Sequence, residues 1–393
     1  MQAVILCAGK STRTYPLTIT KPKPLLKIAN MSIIEHNLEQ LNGIVDEAII
    51  ITGYKGDMIK EKIGTKFNKI KITYAEQKAP DGSGGAIIRA KKLLKDRFIV
   101  MNGDDLFSKT DIKKCLGHEY CILVKETDDL RAFGEVKTRG KIVIGLKEKP
   151  RHLKKGLANT GLYVFTKDIF KYQLKKSKRE EYEIVDYINF LIKDKVKINH
   201  EKAGFWLPIT YPWTLLDANE RLLSDIKTKI KGTVEERATI KGPVIIGKGT
   251  IVLSGSYIEG PVIIGEGCRI GPNCYIRAKT TIGSSSKIGN AVEIKNSVIG
   301  DNTSIGHLSY VGDSVIGDNV NFGAGTTTAN LRHDDDNVKS PVKGELVDSG
   351  RRKLGTIIGD SVHTGINTSI YPGRKIWPGK TTAPGEIVKS DIE

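Results

Sequence analysis

"VIIGEGCRIGPNCYIRAKTTIGSSSKIGNAVEIKNSVIG", residues 262–300, places an isoleucine before a glycine at 264–265, 270–271, 282–283, 288–289 and 299–300. Ile246-Gly247 stands 18 residues before Ile264-Gly265, and Ile316-Gly317 stands 17 after Ile299-Gly300. Ile305-Gly306 and Val311-Gly312 fill the intervals. A six-residue unit of aliphatic, glycine, two polar, small and variable residue is the repeat of a parallel β-helix, three units closing one triangular coil. The aliphatic residue is expected to point inward, and glycine or asparagine to take the tight corner. An amphipathic helix would need a 3.6-residue period and would not tolerate glycine every six residues. The register breaks at 329–354, "ANLRHDDDNVKSPVKGELVDSGRRKL", which is charged and aperiodic and reads as an inserted loop. The coil resumes at Ile358-Gly359-Asp360-Ser361-Val362.

The first half is built differently. "AVIL" (3–6), "EAIIITG" (47–53), "KITYAEQ" (71–77), "FIVMNGDD" (98–105), "CILVKE" (121–126) and "LYVF" (162–165) read as strands. "MSIIEHNLEQLNGI" (31–44) and "GGAIIRAKKLL" (84–94) carry apolar residues at helical spacing. Strand–helix alternation predicts a Rossmann-like α/β domain with a mainly parallel, mixed sheet over residues 1–228. A left-handed parallel β-helix of hexapeptide repeats then occupies 229–393. At 393 residues the chain exceeds the usual size of one core, in keeping with two domains. In open α/β sheets ligands bind beyond the carboxyl ends of the strands.

The net charge of +17 calls for anionic partners. The 62 Lys and Arg are spread along the chain without a basic tail, and aromatics make up only 6%, too few for a base-stacking surface. Nucleic acid is therefore not expected, and small phosphorylated substrates are. No run approaches the 18 apolar residues of a membrane span, and "MQAVILCAG" lacks the basic and apolar regions of a signal peptide. Cys7, Cys115, Cys121, Cys268 and Cys274 are odd in number and lack zinc spacing, as expected of buried thiols in a reducing, cytoplasmic setting. Cys268 and Cys274 lie one repeat apart, on successive faces of a coil, so no disulfide is expected between them.

Chemistry concentrates in a few loops. "LCAGKSTRTYPLTITKPKPLL" (6–26) follows the first strand with donors at Gly9, Lys10 and Ser11, together with Arg13 and Lys23. Such a turn either wraps a polyphosphate or is only a polar connection. "NGDD" (102–105) ends an apolar strand and puts Asp104 at the same edge, where a carboxylate suits Mg²⁺ held against phosphate oxygens. "EQKAPDGSGGA" (76–86) offers Gln77 and a glycine-rich turn suited to a base edge. In the second half, His307 interrupts the small-residue pattern in company with Tyr310, Asn321 and Asn330. A lone histidine is ordinarily structural, so the block rather than the residue carries the signal.

The segment "LCAGKSTR…KPKPLL", with "NGDD", "FGEV" (133–136), "LKEKP" (146–150), "NTGLYVF" (159–165), "EYEIVDYI" (181–188) and "YPWTLLDAN" (211–219), resembles the sugar-1-phosphate nucleotidylyltransferases. In that family a sugar-1-phosphate oxygen attacks the α-phosphorus of a nucleoside triphosphate and pyrophosphate leaves. The resemblance implies that Arg13 holds the leaving pyrophosphate, Lys23 the α-phosphate, and Asp104 Mg²⁺. It implies Leu6, Ala8, Gly9, Gln77, Gly82 and Ser83 for base and ribose. Gly134, Glu148, Asn159 and Thr160 would hold the sugar, and Lys149 its phosphate. Two positions depart from the pattern. Ser11 replaces the second glycine of the signature, and "WLPITYPW" (206–213) puts Pro208 where many relatives carry a second metal carboxylate. Either Asp104 holds the metal with phosphates and waters, or this half is slow.

"IGHLSYVGDSVIGDNVNFGAGTTTANL" (305–331), "CYIRAK" (274–279) and "GNAVEIKNSVIG" (289–300) resemble the acetyltransferase half of bifunctional N-acetylglucosamine-1-phosphate uridylyltransferases/glucosamine-1-phosphate acetyltransferases, in the archaeal-like form. By that resemblance His307 is the general base for the attack of an amino-sugar-1-phosphate on acetyl-CoA. Arg277 and Lys295 would take the sugar phosphate, Tyr310 and Asn330 the sugar or the reacting amide, and Asn321 would be a further substrate-binding residue. A homotrimer through the β-helix is also implied. The alternatives are a single-activity sugar nucleotide pyrophosphorylase with a structural β-helix, and a regulatory relative whose sites have decayed.

Overall fold

The computed structural model of the chain describes residues 1–130, 133–148 and 155–393. By packing, the chain forms two compact units. The first comprises Met1–Lys10, Pro22–Leu25 and Ile33–Pro208; the second comprises Ser11–Lys21, Leu26–Ser32 and Ile209–Glu393. Two short stretches of the opening loop region thus pack with the C-terminal half of the chain, which the sequence boundary at 228 does not anticipate.

Among the described residues the first unit carries a ten-stranded mixed sheet. Its middle is parallel: Phe98–Asn102, Gln2–Cys7, Glu47–Thr52 and Ile70–Glu76 lie side by side in that order. These strands read as continuous apolar runs because both faces are covered. Ile5, Ile50 and Ile99 face one core cluster, while Val4, Ile49 and Val100 face the other. From the first strand the chain adds Glu47–Thr52 and Ile70–Glu76 on one side and then returns to place Phe98–Asn102 on the other, so the carboxyl ends of Gln2–Cys7 and Phe98–Asn102 mark the switch point of the sheet. Gly156–Phe165 runs antiparallel to Phe98–Asn102 and to Cys121–Thr127. The helix expected over 84–94 is Gly82–Ala90, and that expected over 31–44 is Ile33–Leu41. The run 98–105 is two strands: Phe98–Asn102 in the main sheet, and Asp105–Phe107, which pairs antiparallel with Trp206–Pro208.

The second unit holds a left-handed parallel β-helix with three faces. Val244 pairs with Val262 and Val262 with Thr280; Val298 pairs with Val315, following the switch from 18 to 17 residues per coil. Ile246, Ile264, Ile282, Ile299 and Ile316 are buried in its core. The repeat glycine has another task than the one expected of it. Gly265 has ordinary φ, but a Cβ there would lie 2.6 Å from the Ser284 nitrogen of the next coil, so glycine is required by close stacking. The left-handed corner falls two residues later, at Gly249, Gly267, Ser285, Asn302 and Asn319.

The stretch 329–354 is a true insertion, since Val315 pairs with Ile357 across it. It is not a structureless loop, however. Lys339–Val342 and Glu345–Asp348 form an antiparallel hairpin. Ser340 Oγ donates to the Gly373 carbonyl at 2.8 Å, and Arg374 Nη2 to the Lys339 carbonyl at 2.9 Å. Lys375, only 2% exposed, donates its ammonium to the Pro341 carbonyl. Burial brings the Lys375 pKa down to about 8. All five cysteines are free and buried, as expected, and no described helix is long and apolar enough to cross a membrane.

A buried lysine with a depressed pKa makes stability depend on pH. Between about pH 8 and the unfolded-state pKa, the unfolded chain binds more protons, so stability rises with pH through that window. Chemical denaturation followed from pH 7 to 10 should show this rise, and Lys375→Met should abolish it.

Candidate functional site

The carboxyl ends of the parallel strands in the first unit bring together several of the expected residues. After Cys7 the chain runs through Ala8 and Gly9, and the Tyr54 amide donates to the Ala8 carbonyl at 3.1 Å. After Asn102, the Gly103 amide donates to the Leu6 carbonyl at 2.9 Å, fixing Asp104 at this edge. Lys23, 5% exposed, donates to Asp104 Oδ2 at 2.7 Å. A nearly buried cation and a partly exposed carboxylate thus stand at the switch point of the sheet. Arg13 lies on the 3-10 turn Thr12–Thr14 and belongs to the second unit. Ser11, in place of the signature glycine, sits at φ 51 and ψ 49, the left-handed conformation glycine would adopt without cost. Its carbonyl accepts from Thr14 Oγ1 at 2.7 Å and Thr18 Oγ1 at 2.9 Å, bonds that hold the strained turn.

The glycine-rich turn after Gln77 is tightly packed. Gly82 has φ 91, and a Cβ there would meet the Tyr182 backbone. Ser83 Oγ accepts from the Ile184 amide at 3.1 Å. Gln77 donates to Asp81 Oδ1 at 2.6 Å and to the Gly82 carbonyl at 2.8 Å, so its amide nitrogen shapes the turn.

Ser83, Gly134, Glu148, Asn159 and Thr160, five of the residues singled out from sequence, line one cavity of about 270 Å³. Gly134 pairs with Asn159 in adjacent strands, and a Cβ on Gly134 would stand 3.1 Å from Glu148 Oε2. Asn159 donates to the Tyr163 hydroxyl at 2.6 Å. The Thr160 hydroxyl is turned inward and donates to the Leu123 carbonyl at 2.8 Å. Lys149 lies outside the described residues. Sequence reasoning missed Arg179, which reaches Glu183 at 2.6 Å and Glu148 at 3.8 Å on the cavity wall. It also missed Asp105. That carboxyl is buried, accepts from the Trp206 indole at 3.4 Å, and is pushed up to about 7 by burial and by neighbouring Asp104. The doubled aspartate of "NGDD" was its only sequence signal.

Among the described residues no cluster of three or more His, Cys, Asp or Glu could hold a metal. Pro208 pairs with Asp105 and offers no side-chain ligand. The donor set nevertheless fits Mg²⁺. This ion is commonly bound through one or two carboxylates with substrate phosphates completing its shell, and Asp104 stands partly exposed at the strand ends.

In the β-helix, stacking assembles a second polar cluster. Asn296 and Asp313 occupy the same corner on successive coils, and Asn330 joins them. Asp313 is the hub: it accepts from Asn296 at 2.7 Å, Asn330 at 2.6 Å and Lys295 at 3.4 Å. Asn330 also donates to the Tyr310 hydroxyl at 3.2 Å. Arg277 pairs with Glu293 at 2.9 Å, and Glu293 stands opposite Tyr310 in register. Arg277, Lys295, Tyr310 and Asn330 are therefore brought onto one wall. His307 is exposed at the end of Ser304–His307, on the preceding face of the coil, and Asn321 pairs with Ser304 on that face. Asp313 was missed because "VGDS" reads as one more corner of the repeat.

Comparison with known proteins finds a match in each half. The nucleotidyl transferase family model matches residues 2–225, and the GMPPB C-terminal domain model matches 258–383. The chain is 44% identical to the "Bifunctional protein GlmU" of Methanocaldococcus jannaschii, over all of this chain and 96% of that protein. It is 40% identical to a "Bifunctional sugar-1-phosphate nucleotidylyltransferase/acetyltransferase" of Sulfurisphaera tokodaii, over all of this chain and 98% of that protein. A crystal structure of a putative glucose-1-phosphate thymidylyltransferase from Bacillus anthracis superposes with a TM-score of 0.53 at 27% identity, covering 58% of this chain and 97% of that one. With full-length identity at this level and a nucleotidyl transferase match over more than half its length, the chain belongs to the family of bifunctional GlmU-type sugar-1-phosphate nucleotidylyltransferases/acetyltransferases.

Proposed function

We propose that the chain synthesises a nucleotide sugar by two transfers: acetyl-CoA to the amino group of glucosamine-1-phosphate or a related amino-sugar-1-phosphate, and a nucleotidyl group from UTP or dTTP to a sugar-1-phosphate. The observation that carries this reading is the presence, on one chain, of two separate polar clusters: Lys23 and Asp104 at the strand ends of the first unit, and Arg277, Lys295, Tyr310, Asp313 and Asn330 on one wall of the β-helix.

In the first cluster the sugar-1-phosphate occupies the cavity walled by Gly134, Glu148 and Asn159, and the triphosphate lies along the turn at Ala8 and Gly9. Lys23 stabilises charge developing on the α-phosphate, and Arg13 takes the departing pyrophosphate. Little covalent work falls to the protein, so rate depends on position and charge. Asp104 would hold Mg²⁺, which when bound would neutralise charge on the phosphate oxygens. Leu6, Gln77 and Gly82 frame the base and ribose.

For acetyl transfer His307 takes a proton from the attacking amine, the general-base task that histidine most often fills. Arg277 and Lys295 hold the sugar phosphate, Tyr310 and Asn330 contact the sugar or the reacting amide, and Asn321 is a further substrate-binding residue. Leu308, directly after His307, is 67% exposed. This exposure supports a trimer in which a neighbouring copy covers the site.

Two assays on one preparation test the reading. Thiol release from acetyl-CoA with glucosamine-1-phosphate should fall at least about 100-fold in His307→Ala, with pyrophosphate release from UTP unchanged. Asp104→Asn should do the reverse. An unchanged first rate in His307→Ala excludes the acetyl assignment. Asp313→Ala should also slow acetyl transfer, by about 10- to 100-fold, because Lys295 and Asn330 lose the group that orients them. Nucleotidyl transfer by the same variant should match that of the native protein.

A further inference from the structure

One polar side chain of the first unit stands where the pattern of its helix calls for an apolar one. The helix Ile33–Leu41 buries Ile33, Ile34, Asn37, Leu38 and Leu41, so Asn37 lies on the stripe that faces the core. It is fully buried. Its Oδ1 has no hydrogen-bond partner among the described residues, an arrangement that lowers stability. Its Nδ2 donates to the Asp105 carbonyl at 2.8 Å. A leucine here would continue the apolar stripe without an unpaired oxygen. What the asparagine adds to the protein is its hold on the Asp105 backbone.

That carbonyl lies one residue beyond Asp104. On the other side of Asp104, the Gly103 amide donates to the Leu6 carbonyl at 2.9 Å, tying the chain to the first strand. Asp104 therefore stands between two backbone bonds, one made to the sheet and one to the helix. The Asp105 carboxyl reinforces the second anchor, accepting from the Trp206 indole at 3.4 Å and from the Asn102 side chain. Gln40 of the same helix accepts from the Lys109 amide at 2.9 Å, so the helix grips the stretch 105–109 at both ends.

The helix also supports the partner of Asp104. Lys23 and Leu25 share one short 3-10 turn, and Leu25 packs against the core cluster that contains Ile34, Leu38 and Leu41. Lys23 Nζ reaches Asp104 Oδ2 at 2.7 Å. All of these residues belong to the first unit. Both members of the ion pair at the strand ends thus rest on one helix, and Asn37 is its polar contact with the aspartate side.

From this geometry we infer that Asn37 is a positioning residue for nucleotidyl transfer: through the Asp105 carbonyl it fixes where the Asp104 carboxylate stands against Lys23 and the metal ion that carboxylate would hold. The inference rests on the assignment of nucleotidyl transfer to the Lys23–Asp104 site. A shift of about 1 Å in a positioned group can cost about 100-fold in rate, and loosening one of two anchors costs less.

Two variants separate the bond from the space the side chain fills. Asn37→Ala and Asn37→Leu both remove the donor, but leucine fills the space that alanine leaves. Each should lower kcat for pyrophosphate release about tenfold and raise the Mg²⁺ concentration for half-maximal rate by a similar factor, with a smaller change in KM for the sugar-1-phosphate. Acetyl transfer should stay at the native rate, which also reports that the variants are folded. Without added Mg²⁺, hydrogen–deuterium exchange of the amides at 103–107 should quicken in both variants, while that of the helix Gly56–Ile63 stays native. A loss confined to Asn37→Ala and absent from Asn37→Leu would show that the side chain only fills space, and would overturn the inference. Native Mg²⁺ dependence in both variants, or native exchange at 103–107, would overturn it too. Absence of pyrophosphate release from the native protein would instead overturn the nucleotidyl assignment, and this inference with it.

Discussion

Stacking of coils at a fixed repeat is the constraint on which the rest of the second unit depends. Because each coil lies directly on the last, residues 17 or 18 apart in sequence become neighbours in space. The repeat glycines are the condition for this, since a Cβ at Gly265 would collide with the backbone of the coil above. Once the spacing is set, any polar residue recurring at that interval becomes a column. Asp301 and Asp318 form one column, which Asp360 continues across the insertion, Asn296 and Asp313 form another, and Glu293 and Tyr310 stand together for the same reason. The fold turns sequence period into side-chain geometry with almost no further specification.

The first unit works on a different principle. A parallel sheet covered on both faces places its loops, rather than its strand faces, at the functional edge. The side chains there are few and closely packed. Lys23 meets Asp104, Gln77 is occupied with the turn at Asp81 and Gly82, and Asp105 is buried under Trp206. Glycines at 82 and 134 leave room where a side chain would fill the space beside Tyr182 or Glu148. Pro208 offers no carboxylate beside Asp105, and the Lys23–Asp104 pair supplies the charge at this edge.

Much of this was legible in the sequence, for identifiable reasons. Periodicity is a local property, so the β-helix and its insertion could be read directly, and the order of motifs in the first half pointed to five residues that do meet in one cavity. What escaped depends on long-range contact. The alternation of segments between Lys10 and Ile33 follows from ion pairs with residues some 300 positions away, which no local pattern records. Asp313 looks like any corner residue until stacking sets Asn296, Lys295 and Asn330 around it. The hairpin at 339–348 escaped because its strands are short and charged, and it is held by Gly373, Arg374 and Lys375 from outside its own sequence.

The central claim is that one chain carries out both transfers. The most direct measurement is mass spectrometry of the products formed when the purified protein receives glucosamine-1-phosphate, acetyl-CoA, UTP and Mg²⁺ together. The account predicts free coenzyme A, pyrophosphate and an N-acetylated sugar joined to a uridine diphosphate. Formation of an unacetylated sugar nucleotide alone, with acetyl-CoA untouched, would contradict it.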